Sequence, residues 1–250
     1  MLRELLEDLL CGRKSAEEVE KLLQGYSVLA GGGARLDIAR TARCGLPEVI
    51  YGPGKPDSVL AAVVEEHIRS GLPLFVSRAS KAQADLLLAL SPKLKYDDVA
   101  AAVYCLPDAE PCGMVSVVCA GSADLPVAGE ACVALRFFGV GHRLIADVGV
   151  SGIHRLADVV PELNSSDAVI VAAGMEGALP SVVGGLISPP VIGVPVSVGY
   201  GAALGGFTAL LAMLSTCSPG VCVVNIDNGV GAAAVAARIV RSGKRIPRHD

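Results

Sequence analysis

The 250-residue chain has no Trp, and its aromatics, four Phe and five Tyr, make up only 4% of it. A hydrophobic content of 52% must therefore come from Val, Ala and Leu, with 29 Gly beside them. That composition suits tightly packed α/β layers and argues against an aromatic binding surface. Basic charge is not in excess, because the formal net charge is -4, so nucleic acid is not an expected partner. The eight Cys include no C-x-x-C pair and no His at zinc-ligand spacing, which argues against a metal-cysteine site. Most are expected to be reduced, buried residues. Asn and Gln are scarce, a composition expected of a hot habitat, where intracellular disulfides do occur; Cys105 with Cys112 or Cys119 is the candidate pairing. The start, MLRELLEDLLCGRK, lacks the basic-then-apolar order of a signal peptide, so a cytoplasmic location is expected.

The largest absence is of charge: the fifty residues between Glu176 and Asp227 hold no Lys, Arg, His, Asp or Glu. Such a stretch must be shielded from water. A membrane is an unsuitable shield, because Gly199, Gly201, Gly205 and Gly206 crowd the most apolar part and Pro195 and Pro219 bound it. Two β-branched runs, 168–171 and 191–194, each lead into a Gly-rich turn and a helix-forming segment, the rhythm of parallel strands buried on both faces. One domain of about 140 residues does not need so long an uncharged run for its own core, so part of it is expected at apolar subunit interfaces of a homo-oligomer.

Along the chain, Leu2, Leu5, Leu6, Leu9 and Leu10 fall at helical spacing before Gly12, and Ser15 with Glu18 reads as the capping box of a second helix. Gly31-Gly32-Gly33 reads as a connector. Helices at 57–70 and 80–90 with strands at 74–77 and 100–104 make a small α/β unit. The Pro- and acid-containing segment 106–113 reads as a linker, dividing the chain into domains 1–110 and 111–250. The second domain reads as strands at 114–120, 143–148, 168–171, 191–194 and 221–226 alternating with helices at 125–138, 153–160, 178–186, 205–214 and 231–240. That is a parallel three-layer sandwich with its crevice at the carboxyl ends of the strands. The turns there read AGSADLP, DVGVSG, AAGMEGALP, PVSVGYGAALGG and NIDNGVGA. Most are rich in Gly with Ser or Asn and would offer backbone N–H groups to a phosphate. None has dinucleotide or Walker A spacing. The substrate-binding candidates are Ser122, Asp124, Asp147, Gly174, Met175, Ser197, Gly199, Tyr200 and Gly201.

AGSADLPVAGEA, DVGVSGIHRL, VAAGMEGALPSVVGG, PVIGVPVSVGYGAALGG, LLAMLSTCSPG and VVNIDNGVGAA resemble the LarB family, pyridinium-3,5-biscarboxylic acid mononucleotide synthases of nickel-pincer cofactor assembly. DIARTARCGLPEVIYGPGK extends the resemblance into the N-terminal half, and the C-terminal domain is more distantly similar to PurE, the aminoimidazole-ribonucleotide carboxylase and mutase. PurE enzymes carry a His before the Leu-Pro of the glycine-rich turn; here Ala178 precedes Leu179 and Pro180, with Glu176 two residues upstream. The resemblance implies a PurE-like octamer. It also implies that nicotinic acid adenine dinucleotide is carboxylated on its pyridinium ring by CO2 or bicarbonate and that its pyrophosphate is hydrolysed to release AMP. No tightly bound cofactor is implied, with Mg2+ a candidate helper at the pyrophosphate. The family's catalytic thiol is carried by Ser215-Thr216-Cys217.

Each of these residues also has a plainer reading. Cys217 is one of eight Cys and ends a helix, where the macrodipole opposes a thiolate; Cys222, five residues on, reads as a core residue. Glu176 fits a helix-start acid, but its isolation favours a carboxylate shielded from water that takes a ring proton. Asp124 and Asp147 fit N-caps equally well. Arg40, Arg43 and Lys55 fit a solvated face or, through guanidinium forks, the substrate's phosphates. Purine carboxylation and a non-catalytic nucleotide-binding subunit are the competing functions.

Overall fold

A computed structural model describes residues 2–23, 36–37 and 40–243; the Gly31-Gly32-Gly33 connector lies outside them. Helices α1 (Leu2–Leu10) and α2 (Ala16–Leu23) form the expected hairpin. Gly12 stops α1 with a left-handed φ of 70°. The Ser15 and Glu18 side chains exchange hydrogen bonds with each other's backbone N–H at 3.1 and 2.7 Å, which satisfies two donors of α2 that no helical carbonyl can reach.

The α/β unit that follows is larger than the sequence pattern indicates. A short helix α3 (Arg40–Cys44) and strand β1 (Ile50–Tyr51) precede α4 (Asp57–Arg69), β2 (Leu74–Ser77) and α5 (Lys81–Leu88); strands β3 (Lys95–Asp97) and β4 (Ala102–Cys105) complete it. The sheet order is β1-β2-β4-β3, with β1 parallel to β2 and the other pairs antiparallel. Strands of two or three residues carry too little periodicity to be read in advance.

The chain then builds the expected parallel sheet: β5 (Cys112–Cys119), α6 (Leu125–Phe137), β6 (Val140–Ile145), α7 (Ile153–Asn164), β7 (Ala168–Ala173), α8 (Leu179–Gly184), β8 (Val191–Pro195), α9 (Phe207–Leu214), β9 (Val221–Val223) and α10 (Gly229–Gly243). The connection from β4 to β5 is thus residues 106–111, and the strand starts earlier than expected. β6 begins three residues before the expected 143, because Gly139, at φ 71°, ends α6 and returns the chain at once to the sheet edge. α7 runs through Pro161; on a largely exposed helix the missing N–H costs one carbonyl partner, which water can replace.

Alternation along the strands explains the absence of charge. Val115, Val117, Ile170 and Ile192 face α6 and α10, whereas Val118, Val169, Val171 and Val191 face α7, α8 and α9, and all eight are buried. α6 serves both sheets, because β2 and β4 pack on its other side: Phe75 and Phe137 meet with ring centroids 5.6 Å apart. One hydrophobic cluster spans the two halves, and each half has a further cluster of its own.

The cysteines depart from expectation. Only Cys119 and Cys132 are buried, and all eight are free thiols, Cys105 and Cys112 included. Burial pushes the Cys132 thiol up to about 12, which leaves it inert. Cys222 is exposed, on edge strand β9 where one face has no covering layer. No helix among the described residues is long and apolar enough to cross a membrane.

Candidate active site

The five-stranded sheet has the order β6-β5-β7-β8-β9. Chain direction across the sheet reverses between β5 and β7, and in such sheets a crevice opens beyond the carboxyl ends of the two strands at the reversal. A cleft of about 520 Å³ lies there, between the turns after β5, β6, β7 and β8.

Asp124 joins two of these turns. Its Oδ2 accepts the Gly121 N–H at 2.9 Å and its Oδ1 the Gly174 N–H at 3.2 Å, so one carboxylate ties the turn after β5 to the turn after β7. Asp124 is 6% exposed; burial raises its carboxyl above the ordinary value of 3.8, against the lowering effect of N–H groups from Gly121, Gly174 and Ala120. Gly174 has no room for a side chain: a Cβ would lie 2.4 Å from the Val198 carbonyl oxygen. Met175 takes a left-handed φ of 52°, strained for a residue with a Cβ, and with Glu176 it lines the cleft. Glu176 is exposed in the single chain. The burial expected around it is instead found at Asp124, because Glu176 sits at the tip of its turn and the apolar residues after it fold away into α8.

Arg155, which the sequence reading passes over, is the cation of the cleft. It stands in the first turn of α7, where the helix dipole disfavours positive charge, and pairs with Asp147. Its guanidinium folds over Gly152, where a Cβ would come within 2.6 Å of Nε. Among the described residues Arg155 Nε is buried against Gly152 without a hydrogen-bond partner, while the side chain as a whole stays 41% exposed, so its outer nitrogens can meet an anion in the cleft. The signal available in advance was a basic residue placed, against the dipole, just after a glycine-rich strand end.

The other candidates fall into three places. Gly174, Met175, Gly199 and Tyr200 line the cleft with Asp124 and Glu176; Ser122 belongs to the 3-10 turn Ser122–Asp124 at its edge, and Asp147 reaches it through Arg155. Ser197 lines an adjoining hollow, its N–H donating to Asp227 Oδ1 at 2.7 Å. Gly201, Arg40 and Lys55 are exposed and do not line the cleft.

Cys217 is exposed and stands at the opposite end of the sheet from the cleft. α9 descends from the rim for eight residues, about 12 Å, and Cys217 lies in the turn beyond it, before β9. Its neighbours fasten that turn to α8: Ser181 Oγ donates to Thr216 Oγ1 at 2.5 Å, and Ser218 Oγ to the Ser181 carbonyl at 2.6 Å. An apolar stripe connects the two ends, with Tyr200 79%, Leu204 69%, Phe207 58%, Leu211 60% and Leu214 62% exposed. Monomeric proteins rarely leave so much apolar surface contiguous.

Two family descriptions divide the chain at the connection between its sheets: residues 28–106 match the LarB/PurE-like N-terminal domain and residues 114–247 match AIR carboxylase. An uncharacterized protein of Methanocaldococcus jannaschii is 37% identical over 96% of this chain and 97% of its own length. The chain belongs to the LarB family. Within that architecture the C-terminal domain is 32% identical to an N5-carboxyaminoimidazole ribonucleotide mutase of Pyrococcus horikoshii, over 51% of this chain and 72% of the relative. The family match and this relative place the LarB chain in the PurE-related carboxylase and mutase superfamily. A crystal structure of Treponema denticola PurE overlays on 53% of this chain and 91% of its own, with 17% identity and a TM-score of 0.40.

Proposed function

We propose that this protein carboxylates the pyridinium ring of nicotinic acid adenine dinucleotide and hydrolyses the pyrophosphate, giving the ring dicarboxylated mononucleotide and AMP. The observation that carries this reading is the composition of the cleft: Glu176 as an exposed carboxylate, Arg155 with a partly exposed guanidinium, and the methyl of Ala178 at the position where purine carboxylases carry their acid-base histidine. Purine carboxylation lacks its proton donor in such a cleft.

A pyridinium ring is electron-poor and cannot attack CO2. Addition of the Cys217 thiolate to the carbon para to the ring nitrogen forms a C–S bond and turns the neighbouring carbon into an enamine terminus. That carbon attacks CO2 and forms the C–C bond. Glu176 then removes the proton from the same carbon, the electron pair re-forms the aromatic ring and the thiolate leaves. Arg155 pairs with a phosphate oxygen while water displaces AMP. Among the described residues no three His, Cys, Asp or Glu side chains are grouped as metal ligands, so a magnesium ion acting at the pyrophosphate would be held chiefly by phosphate oxygens.

One chain holds Glu176 and Cys217 apart, so a second copy completes the site. Antiparallel packing of two exposed α9 stripes across a two-fold axis would cover their leucines and bring each Cys217 turn toward the other copy's cleft rim. Mixing two inactive variants tests both the reaction and the arrangement. After co-refolding, Cys217→Ser with Glu176→Gln regains roughly a quarter of wild-type carboxylation, because half of the pairs are mixed and one of their two sites is intact. A site built within one chain gives no recovery.

A further inference from the structure

The N-terminal sheet also reaches the carboxyl ends of the strands. Arg78 directly follows β2, with a left-handed φ of 54°. Its Nε donates to Oε1 of Glu130 at 3.2 Å and its Nη2 to the Asp227 carbonyl; Ser77 Oγ donates to the same Glu130 oxygen at 2.6 Å. Glu130 projects from α6, 3% exposed, whereas Arg78 keeps 38% of its side chain accessible. That accessible part faces a hollow of about 240 Å³. Arg78, Glu130, Ser197 and Asp227 form its polar side, and Val99, Ala100, Pro126 and Val127 form its apolar side. Ala123 and Val198 line both this hollow and the main cleft, so the two chambers adjoin.

The charges decide what the hollow takes. One guanidinium faces two carboxylates, and Glu130 already neutralises it, so a second phosphate gains little here. Sugar hydroxyls suit it better, because carboxylates accept their hydrogen bonds without competing charge, as the acidic residue at the end of dinucleotide-binding crevices does. A flat base then lies on the Val99, Pro126 and Val127 wall. We infer that this hollow holds the neutral nucleoside end of the dinucleotide, the ribose and adenine of the half that leaves as AMP, and that the N-terminal unit contributes Arg78 and Val99 to substrate binding. This rests on the dinucleotide reading given above. It also gives the N-terminal unit a role beyond packing on α6.

Photolabelling of the full-length wild-type protein with 8-azido-AMP, followed by peptide mass mapping, tests the assignment without any variant. Labels belong on the peptides holding Val99 and Val127; labels confined to 174–178 overturn it, as does a protein that binds no AMP. Val99 is 53% exposed, so Val99→Trp narrows the hollow with little risk to the fold. Calorimetry should find AMP binding weakened at least about tenfold in that variant and nicotinic acid mononucleotide binding unchanged, a change of about 1.4 kcal/mol. Adenosine should displace AMP from the wild type, and inorganic phosphate should not. If the dinucleotide is turned over but Val99→Trp leaves AMP affinity intact, the hollow is wrongly assigned and the reaction stands. If wild-type protein neither turns over the dinucleotide nor binds either mononucleotide, the reaction and the hollow fall together.

Discussion

The two ends of the parallel sheet are built by opposite means. At the cleft, buried polar groups are tied down by short contacts: Asp124 joins the turns after β5 and β7, and Asp227 accepts the Ser197 N–H and so joins those after β8 and β9. At the far end, Ser181, Thr216 and Ser218 fix a turn whose Cys217 is exposed beside uncovered leucines. The turns of the first end are tied together within one chain; the second end has the surface of half an interface. Absence of charge therefore has two causes in one segment, burial within the sheet layers at 191–196 and an uncovered apolar face on α9. Composition alone cannot separate them, because both select the same residues.

Cys217→Ser is the largest test of this contrast. The hydroxyl is close in size but a far weaker nucleophile at neutral pH, so ring carboxylation should be abolished while dinucleotide affinity and oligomer mass by light scattering are kept. Wild-type protein mixed with substrate or with NAD should show a dihydropyridine-type absorbance that the variant lacks. Cys222→Ser is the control. It is exposed on β9 and should retain both the absorbance and nearly all stability. Wild-type carboxylation by Cys217→Ser would return the far end to a purely structural role.

Leu211→Asp attacks the same end through its surface. A carboxylate in the middle of the stripe should dissociate the assembly, seen as a fall in mass at micromolar concentration, and carboxylation should fall with it. A stable monomer that still carboxylates would show that the cleft needs no second copy. Glu176→Gln acts at the other end and more weakly: carboxylation should slow by about a hundredfold, the usual scale for a lost general base, with the thiol adduct still forming. If the adduct is lost too, Glu176 has a role before proton removal.

Long periodic elements were legible in the sequence because each signal repeated: β2 at 74–77, β7 from 168 and α6 from 125 all lie where alternation or helical spacing placed them. β1 and β3 were not, being too short for a repeat, and β6 was displaced because Gly139 ended α6 without a polar turn to mark it. In the cleft, Gly174, Met175, Glu176, Gly199 and Tyr200 were legible as turn residues after strands. Arg155, Arg78 and Glu130 were not, since their significance arises from contacts that the local sequence does not signal: Arg78 meets Asp227 across 149 residues. Burial of Asp124 and exposure of Glu176 could not be read in advance either, because both are single carboxylates in apolar, glycine-rich turns and only the packing of those turns distinguishes them.

Asp124→Asn gives the smallest effect and probes the better-built end. The amide offers one acceptor where the carboxylate has two, so the N–H of Gly121 or of Gly174 loses its partner, at a cost of about 1–3 kcal/mol. Part of that cost is returned, because the variant no longer buries a carboxylate, and the returned part depends on pH. Burial holds the Asp124 carboxyl above its ordinary 3.8, so the protonated form is favoured in the folded state. Its contribution to stability is full below the unfolded value and is lost as pH rises through the folded one. The advantage of the wild type over Asp124→Asn should therefore narrow as pH is raised from about 4 to about 7. Urea denaturation of both proteins across that range measures the difference directly. A gap that stays constant would mean that Asp124 is ionised at no cost in the fold, and a gap that widens would mean that the N–H bonds from Gly121 and Gly174 outweigh burial and lower the carboxyl instead.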